Sequence, residues 1–218
     1  MALGHCCARP PFYFLLFDKT ALSSRKGVFM KVKGMMITVA MAMAIQGAMA
    51  NLPTAFDLLK SGDQYVGVQS KGKIVQIRSD KSVGGLTPQV WYVVYYDPNA
   101  MFKASQVKFD DGQETQVTHP DRLLELATDQ HKPFDSNLLK IDSDRAIQIA
   151  ASQPYLNTLT LTATKLSLDH GELGPVWHVE IWATRGKSTN PSVDIGEVVL
   201  SATNGAVIKN DLHPNRVD

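Results

Sequence analysis

The sequence predicts an α+β protein of two tandem αβββ units, each an antiparallel sheet with a helix packed on one face. First, each half of the chain runs from a helical pattern into β-rich segments separated by Gly- and Pro-containing turns. Second, two of these β-rich segments carry tryptophans 86 positions apart, Trp91 and Trp177, each preceded by a Val and a nearby Pro. Third, apolar and polar side chains alternate in "GPVWHVEIWATRG" (174–186), which is typical of a strand with one buried face.

The region before the first unit resembles an export signal. Lys31 and Lys33 form a positive start, an apolar run covers 35–45, and small residues stand at the end of the segment. This pattern predicts a secretory signal peptide over 30–50, cleaved near Ala50, and therefore a periplasmic or secreted bacterial protein. The apolar run is short for a membrane-spanning helix, so no stable membrane insertion is expected after cleavage, and an uncleaved N-terminal anchor is the alternative.

We expect residues 1–29 to be a mis-called N-terminal extension, with the true start at Met30. Both cysteines, Cys6 and Cys7, lie in this extension and have no histidine at ligand spacing, which leaves the predicted mature chain without cysteine. The net charge of the whole chain is +1, but the first fifty residues carry six of its 22 basic side chains and only one of its 21 acidic ones. The mature chain is therefore mildly acidic, which argues against nucleic acid as a partner.

The first predicted unit covers residues 51–129. It begins with a helix over 55–60, for which Thr54 is the expected N-cap, and the helix ends before Gly62. The β-rich segments that follow are 65–80, 89–97 and 105–117, the last a hairpin or bent strand around Asp111-Gly112, and a second helical pattern covers 120–129. Residues 130–141 are predicted to be a linker.

The second predicted unit covers residues 142–211. An Asp/Ser cap starts a helix over 142–153, and Pro154 ends it. The β-rich segments are 159–169, 176–184 and 193–211, the last broken by Asn204-Gly205. A flexible tail is expected over 212–218.

Alternation divides the second tryptophan strand into two faces. Trp177, Val179, Ile181 and Ala183 form a wholly apolar face, which we predict to lie in the core under the helix. The other face holds Val176, His178, Glu180 and Trp182, and the corresponding residues of the first unit are Tyr92, Val94 and Tyr96. Either the two sheets or a loop cover this face, or it binds a partner, because large exposed apolar patches are uncommon. The residues of the candidate interaction face are Tyr92, Tyr96, His178, Glu180 and Trp182.

The sequence carries no recognisable catalytic motif. It has no G-x-S-x-G, no phosphate-binding GK[ST] loop and no G-x-G-x-x-G after a strand. His178 and Glu180 share a strand face and could touch one ion, but zinc sites need three or four converging ligands and no H-E-x-x-H occurs. We therefore predict no catalytic residue, no metal site and no cofactor.

Residues 142–210 resemble the PepSY domain. The matching pieces are the capped helix "DRAIQIA" (144–150), the strand "GPVWHVE" (174–180) and the closing "VVLSATNGAV" (198–207), in which Ser201 stands where the family often has Asp. Residues 52–128 match only in their tryptophan strand and predicted topology. The resemblance implies a structural role for Trp177 and Gly205, with Trp91 as the equivalent anchor in the first unit.

What the resemblance implies is a small exported module without enzymatic activity, which binds polypeptide and inhibits or regulates a peptidase of the cell envelope. The alternative is an envelope protein that binds a small ligand or a metal on the His178/Glu180/Trp182 face. A third class, a hydrolase that uses dispersed carboxylates, needs a pocket that no sequence pattern indicates.

Overall fold

The structure is a computed structural model that describes residues 52–119, 132–186 and 192–217. These residues form one eight-stranded antiparallel sheet and two α-helices. The helices are α1 (Ala55–Gly62) and α2 (Ser143–Ala151). The strands are β1 (Ile74–Ser79), β2 (Val90–Tyr96), β3 (Ala104–Asp110), β4 (Gln113–Thr118), β5 (Thr160–Gly171), β6 (Gly174–Thr184), β7 (Val193–Ser201) and β8 (Val207–Leu212). Their order across the sheet is β4-β3-β2-β1-β5-β6-β7-β8.

The predicted fold class of two tandem αβββ units is wrong, because all strands of the described residues belong to one sheet. The segment 105–117, predicted as a hairpin or a bent strand, is a hairpin, and the segment 193–211 is a second hairpin, so each half of the chain supplies four strands. Asp111 and Gly112 turn β3 into β4 with φ angles of 47° and 81°, a conformation that favours Gly and Asp in tight hairpins. The chain turns from β7 into β8 at Asn204-Gly205, where Gly205 has φ 76°.

The two halves join through the pairing of β1 with β5. Ile77 lies opposite Leu168 and Arg78 opposite Ser167. Beyond these pairs, Ser79 Oγ accepts a hydrogen bond from the Leu166 amide at 2.9 Å. This pairing removes two free sheet edges that separate units would have exposed. The continuous sheet leaves only β4 and β8 as edge strands among the described residues.

Both helices pack on the same face of the sheet. Trp91 is 1% exposed and Trp177 is fully buried, and each lies in a single core cluster with residues of α1 and α2. The helix starts are tied together by one carboxylate: Asp142 Oδ1 accepts from the Ser143 amide at 2.6 Å and from the Phe56 amide of α1 at 3.1 Å. A carboxylate is favourable at a helix N-terminus, and here it serves two.

Several predicted segments lie partly or wholly outside the described residues. The extension 1–29, the signal peptide 30–50 and the helix 120–129 are wholly outside them. The part of the predicted linker that is described is attached to the sheet, because the Phe134 amide donates to the Ile74 carbonyl at 2.8 Å. In the predicted tail, Pro214–Val217 forms a 3-10 turn whose Val217 packs against the core.

Candidate functional site

The predicted strand 176–184, which carries Trp177 and Trp182, is part of β6. Its side chains alternate between buried and half-exposed from Trp177 to Ala183, as the sequence pattern predicts. Trp177 Nε1 donates to the Ile141 carbonyl at 2.7 Å, and Trp91 Nε1 donates to the Pro88 carbonyl at 3.1 Å. The two large buried rings therefore have satisfied polar atoms, which is the usual condition for tryptophan in a core. The opposite side of the sheet, which we name the open face, carries the predicted interaction residues.

Tyr92 lies in the first half of the open face between two cations. The Arg78 guanidinium lies 4.7 Å from its ring centroid, and Lys108 Nζ lies 5.7 Å from it. Its hydroxyl donates to Asp80 Oδ2 at 3.1 Å. Burial, and then the hydrogen bond to Asp80, raise the pKa of Tyr92. The ring of Tyr92 is thus contacted by two cations, and its hydroxyl has a hydrogen-bond partner.

Tyr96 has an apolar neighbourhood on the same face. It packs against a small cluster of Val75, Val94 and Ala104, which is separate from the main core. Lys73 Nζ lies 5.9 Å from its ring centroid. The ring of Tyr96 therefore contributes to a second, small apolar cluster of the sheet.

Trp182 is half-exposed and carries a lysine over its ring. Lys81 Nζ lies 4.5 Å from the ring centroid. A register shift between Ile181 and Trp182 places Trp182 opposite Asp194. The distance between Lys81 and the ring is that of a cation–π contact, so this lysine supplies part of the cover that the sequence left unexplained.

His178 and Glu180 contact different partners. His178 Nδ1 lies 3.2 Å from Glu197 Oε2, and Lys165 Nζ lies 3.0 Å from Glu180 Oε1. Burial tends to raise the pKa of Glu197, but hydrogen bonds from His178 and Lys209 outweigh it and the pKa of this carboxyl is lowered. Among the described residues, no group of three or more His, Cys, Asp or Glu side chains is arranged to hold a metal ion.

A cleft of about 690 Å³ opens beside His178, where the ends of β6, β7 and β8 meet the β5–β6 turn. We name it the β6–β8 cleft. Its lining is mainly apolar and includes Pro175, Val176 and Val199. Polar groups of the lining include His178, Glu197 and Lys209. A half-open cleft of this size whose exposed lining is mainly apolar is typical of a binding site.

Three exposed apolar side chains line this cleft. Leu173 at the tip of the β5–β6 turn is fully exposed, Ile208 is 60% exposed and Leu138 is 38% exposed. They come from three segments that are distant in sequence, so their meeting is a product of the fold. Large exposed apolar groups gathered in one place indicate a surface that a partner covers.

His170 also lines the cleft and has an unusual environment. Its ring stacks on Phe134 with a centroid distance of 4.3 Å. Its Nε2 is buried and has no hydrogen-bond partner among the described residues. His170 lies just after the predicted β-rich segment 159–169 and belongs to β5, and no pattern predicted that Phe134, 36 positions earlier, would lie against it.

The sequence does not predict the cleft, because glycine conformations and a register shift shape it. Gly174 has a φ of 133°, a backbone conformation that favours glycine. This glycine shapes the turn in which Leu173 is exposed. A side chain at Gly171 would meet the Val176 side chain. On the other side, a register shift between Val199 and Leu200 changes how β8 pairs near Ile208. A shift of this kind changes the direction of a side chain, and it is not visible in a pattern of alternation.

A Ser, a His and an Asp come together at the far end of the sheet, and sequence reasoning missed them. Ser105 Oγ donates to Asp97 Oδ2 at 2.6 Å and lies 2.9 Å from His119 Nδ1. Ser105 is only 2% exposed, and its hydroxyl donates to the Asp97 carboxylate, whereas a nucleophilic serine donates to the histidine that serves as its base.

The Asp97 cluster predicts a pH-dependent contribution to stability. The hydrogen bond from Ser105 lowers the pKa of Asp97, burial opposes it, and the Asn99 amide and His119 add to the lowering. A carboxyl with a lowered folded-state pKa stabilises the fold above its unfolded pKa, near 3.8, and this contribution is lost as pH falls through the folded value. We expect Asp97→Asn to lower the free energy of unfolding at neutral pH by about 1–3 kcal/mol.

Urea denaturation at neutral pH and at about pH 3 measures this effect. The Asp97→Asn deficit should shrink at the acidic pH, because that pH lies below the unfolded pKa of the carboxyl, near 3.8. The exposed Asp110 provides the control, and Asp110→Asn should leave stability nearly unchanged. An Asp97→Asn deficit of equal size at both pH values would contradict the role of the charge.

Comparison with protein-family models, with curated proteins and with solved structures finds no match for this chain. No helix within the described ranges is both long and apolar enough to cross a membrane.

Proposed function

We propose that this chain is a non-enzymatic binding protein that takes a segment of another polypeptide in the β6–β8 cleft. The observation that carries the proposal is the meeting of Leu138, Leu173 and Ile208 at one cleft. A small ligand inside the cleft would leave the fully exposed Leu173 in water. A polypeptide covers both the cleft and the apolar residues at its mouth, because its side chains and backbone extend over a larger surface.

The charged groups of the cleft support recognition and not catalysis. Among the residues that line it, His178 and Lys209 both contact Glu197 and hold it as a carboxylate. Ser201 accepts a hydrogen bond from the Thr203 amide at 3.2 Å. Within the described lining, no hydroxyl lies in hydrogen-bond reach of a histidine base.

The nature of the polypeptide follows from the expected location. The leader pattern over 30–50 and the resemblance of 142–210 to the PepSY domain support an envelope protein as partner, with a peptidase as the first candidate. Binding of such a peptidase at the cleft would inhibit or regulate it.

The proposal predicts that Leu173→Asp weakens polypeptide binding without unfolding the protein. Selection from a library of random short peptides on the purified full chain supplies the probe, and fluorescence anisotropy of the labelled, selected peptide measures its affinity. We expect Leu173→Asp to weaken the affinity about tenfold, because a buried charge replaces an apolar contact. Met101, which is 87% exposed and does not line the cleft, provides the matched control Met101→Asp.

Failure of the library to yield a binding peptide would contradict the proposed function. Equal weakening by Leu173→Asp and Met101→Asp would place the binding surface elsewhere. A small-ligand function is the second candidate, since the cleft volume lies in the range of small-molecule sites. That function predicts that a small apolar dye competes for the cleft while peptides do not bind.

A further inference from the structure

The proposed function does not use the outer backbone edge of β8. No described strand pairs with this edge. The strand reads "VIKNDL" (207–212), and it is mostly exposed. A free edge with exposed backbone groups is a template for another strand, and proteins usually protect it unless it is used.

The register of β8 on β7 shows which backbone groups are free. The His213 amide donates to the Ile195 carbonyl, so these two residues form a hydrogen-bonded pair. Asp211 opposite Glu197 and Lys209 opposite Val199 are pairs of the same type, because they follow at every second residue of β8. Hydrogen-bonded and non-hydrogen-bonded pairs alternate in an antiparallel ladder. Asn210 therefore directs its amide and carbonyl away from β7, and so does Leu212.

Side chains on this edge make it complementary to itself. Lys209 and Asp211 flank Asn210 on the same side of the sheet, with Lys209 Nζ 3.0 Å from Asp211 Oδ2. If two copies of β8 run antiparallel around a two-fold axis at Asn210, each Lys209 lies directly opposite an Asp211 of the other copy. Opposite charges in that arrangement stabilise a strand pair.

Neighbouring registers are disfavoured by the same charges. An axis at Lys209 places lysine opposite lysine, and an axis at Asp211 places aspartate opposite aspartate. Like charges directly opposite each other destabilise a strand pair. With the axis at Asn210, the free amide and carbonyl of Asn210 in one copy lie opposite those of Asn210 in the other copy. This is the geometry of a hydrogen-bonded antiparallel pair.

We propose that a second copy of this chain is the occupant of the β8 edge, in a symmetric dimer whose sheet continues through the two-fold axis at Asn210. The isologous contact is closed, so it does not lead to fibres. The inference does not rest on the proposed function, because the backbone edge of β8 carries it, although the side chain of Lys209 also lines the cleft. Pairing of two short strands buries little area, and we expect a weak dimer with a Kd roughly between 10 µM and 1 mM.

The first test changes the backbone at the axis. Asn210→Pro removes an amide that makes no bond to β7, and proline is tolerated on edge strands. Asn210→Ala is the matched control, because it keeps the amide and loses only the side-chain bond to Gln153. In sedimentation equilibrium over a wide concentration range, the full chain and Asn210→Ala should dimerise equally, and Asn210→Pro should dimerise at least about tenfold more weakly.

The second test changes the charges and then restores complementarity by mixing. Lys209→Asp leaves two aspartates on each edge, and Asp211→Lys leaves two lysines, so each variant alone should be monomeric. An equimolar mixture pairs an acidic edge with a basic one, and we expect heterodimers at least as tight as the native dimer. Circular dichroism and thermal melting of each variant show that its fold is intact.

Three results would overturn the inference: a full chain that stays monomeric at every concentration, a dimer that Asn210→Pro does not weaken, or two charge variants that do not associate when mixed. A peptide that binds the cleft of such a monomer would still support the proposed function, so the two ideas fail separately.

Discussion

Replacing Trp177 with alanine should lower the free energy of unfolding by about 3–5 kcal/mol, the largest effect we expect of any single substitution. The side chain is fully buried, stacks on Phe56 of α1 with a centroid distance of 6.3 Å and donates from Nε1 to the Ile141 carbonyl. Truncation would therefore leave a cavity between the sheet and α1 and an unpaired carbonyl at Ile141.

The matched control for Trp177 is in the same strand. Trp182 is half-exposed on the open face and contacts Lys81, so Trp182→Ala should cost less than about 1 kcal/mol. Urea denaturation followed by circular dichroism measures both variants. Equal losses for the two would contradict the assignment of core face and open face within β6.

Gly196→Ala should destabilise the protein by about 2–4 kcal/mol and should act mainly on the β7–β8 pairing. Gly196 has φ 113°, a backbone conformation that residues with a side chain rarely adopt. A Cβ at this position would also collide with the Asp211 carbonyl of β8. The new methyl group therefore strains the backbone of β7 and pushes β8 away at the same time.

Gly85 supplies the control for this substitution. It is exposed, and a Cβ added there would meet nothing within 4 Å. Gly85→Ala should change stability by less than about 0.5 kcal/mol. Hydrogen exchange adds a local readout: Gly196→Ala should expose the amides of β8 before those of β2. Uniform exposure of all strands would mean that β8 is not the element that Gly196 holds.

The sequence predicted several local features in both halves of the chain. Thr54 and Asp142 are the helix N-caps, because a short polar side chain before an amphipathic segment can accept a hydrogen bond from a free amide of the first turn. Trp177 and its apolar neighbours face the core, because alternation in a half-buried strand follows directly from backbone geometry. These features depend on residues close in the chain.

The sequence did not predict how strands combine across the two halves. The pairing of Ile77 with Leu168 joins the edge strand β1 of the first half to the edge strand β5 of the second half. No local sequence pattern predicts which edge strands pair with each other. The turn signal at Asp111-Gly112 was interpreted as a hairpin or a bent strand, and the one at Asn204-Gly205 as a break within one strand. Neither segment was counted as two strands, so the predicted units had three strands each where the structure has four.

The candidate site was predicted only in part. His178 was singled out from its strand, and it does line the β6–β8 cleft. Its partner Glu197 comes from β7, and the exposed Leu138 and Ile208 come from segments that alternation could not place together. Trp182, which was predicted to belong to the interaction face, contacts Lys81 and does not line the cleft.

The central claim is that a polypeptide binds in the β6–β8 cleft, and the most direct test is an NMR titration of the isotopically labelled chain with the selected peptide. We predict that the largest chemical-shift changes map to residues of the cleft, among them Leu173, His178, Val199 and Ile208. Changes confined to the β4 edge, or to Tyr92 and its neighbours on the first half of the open face, would contradict the claim.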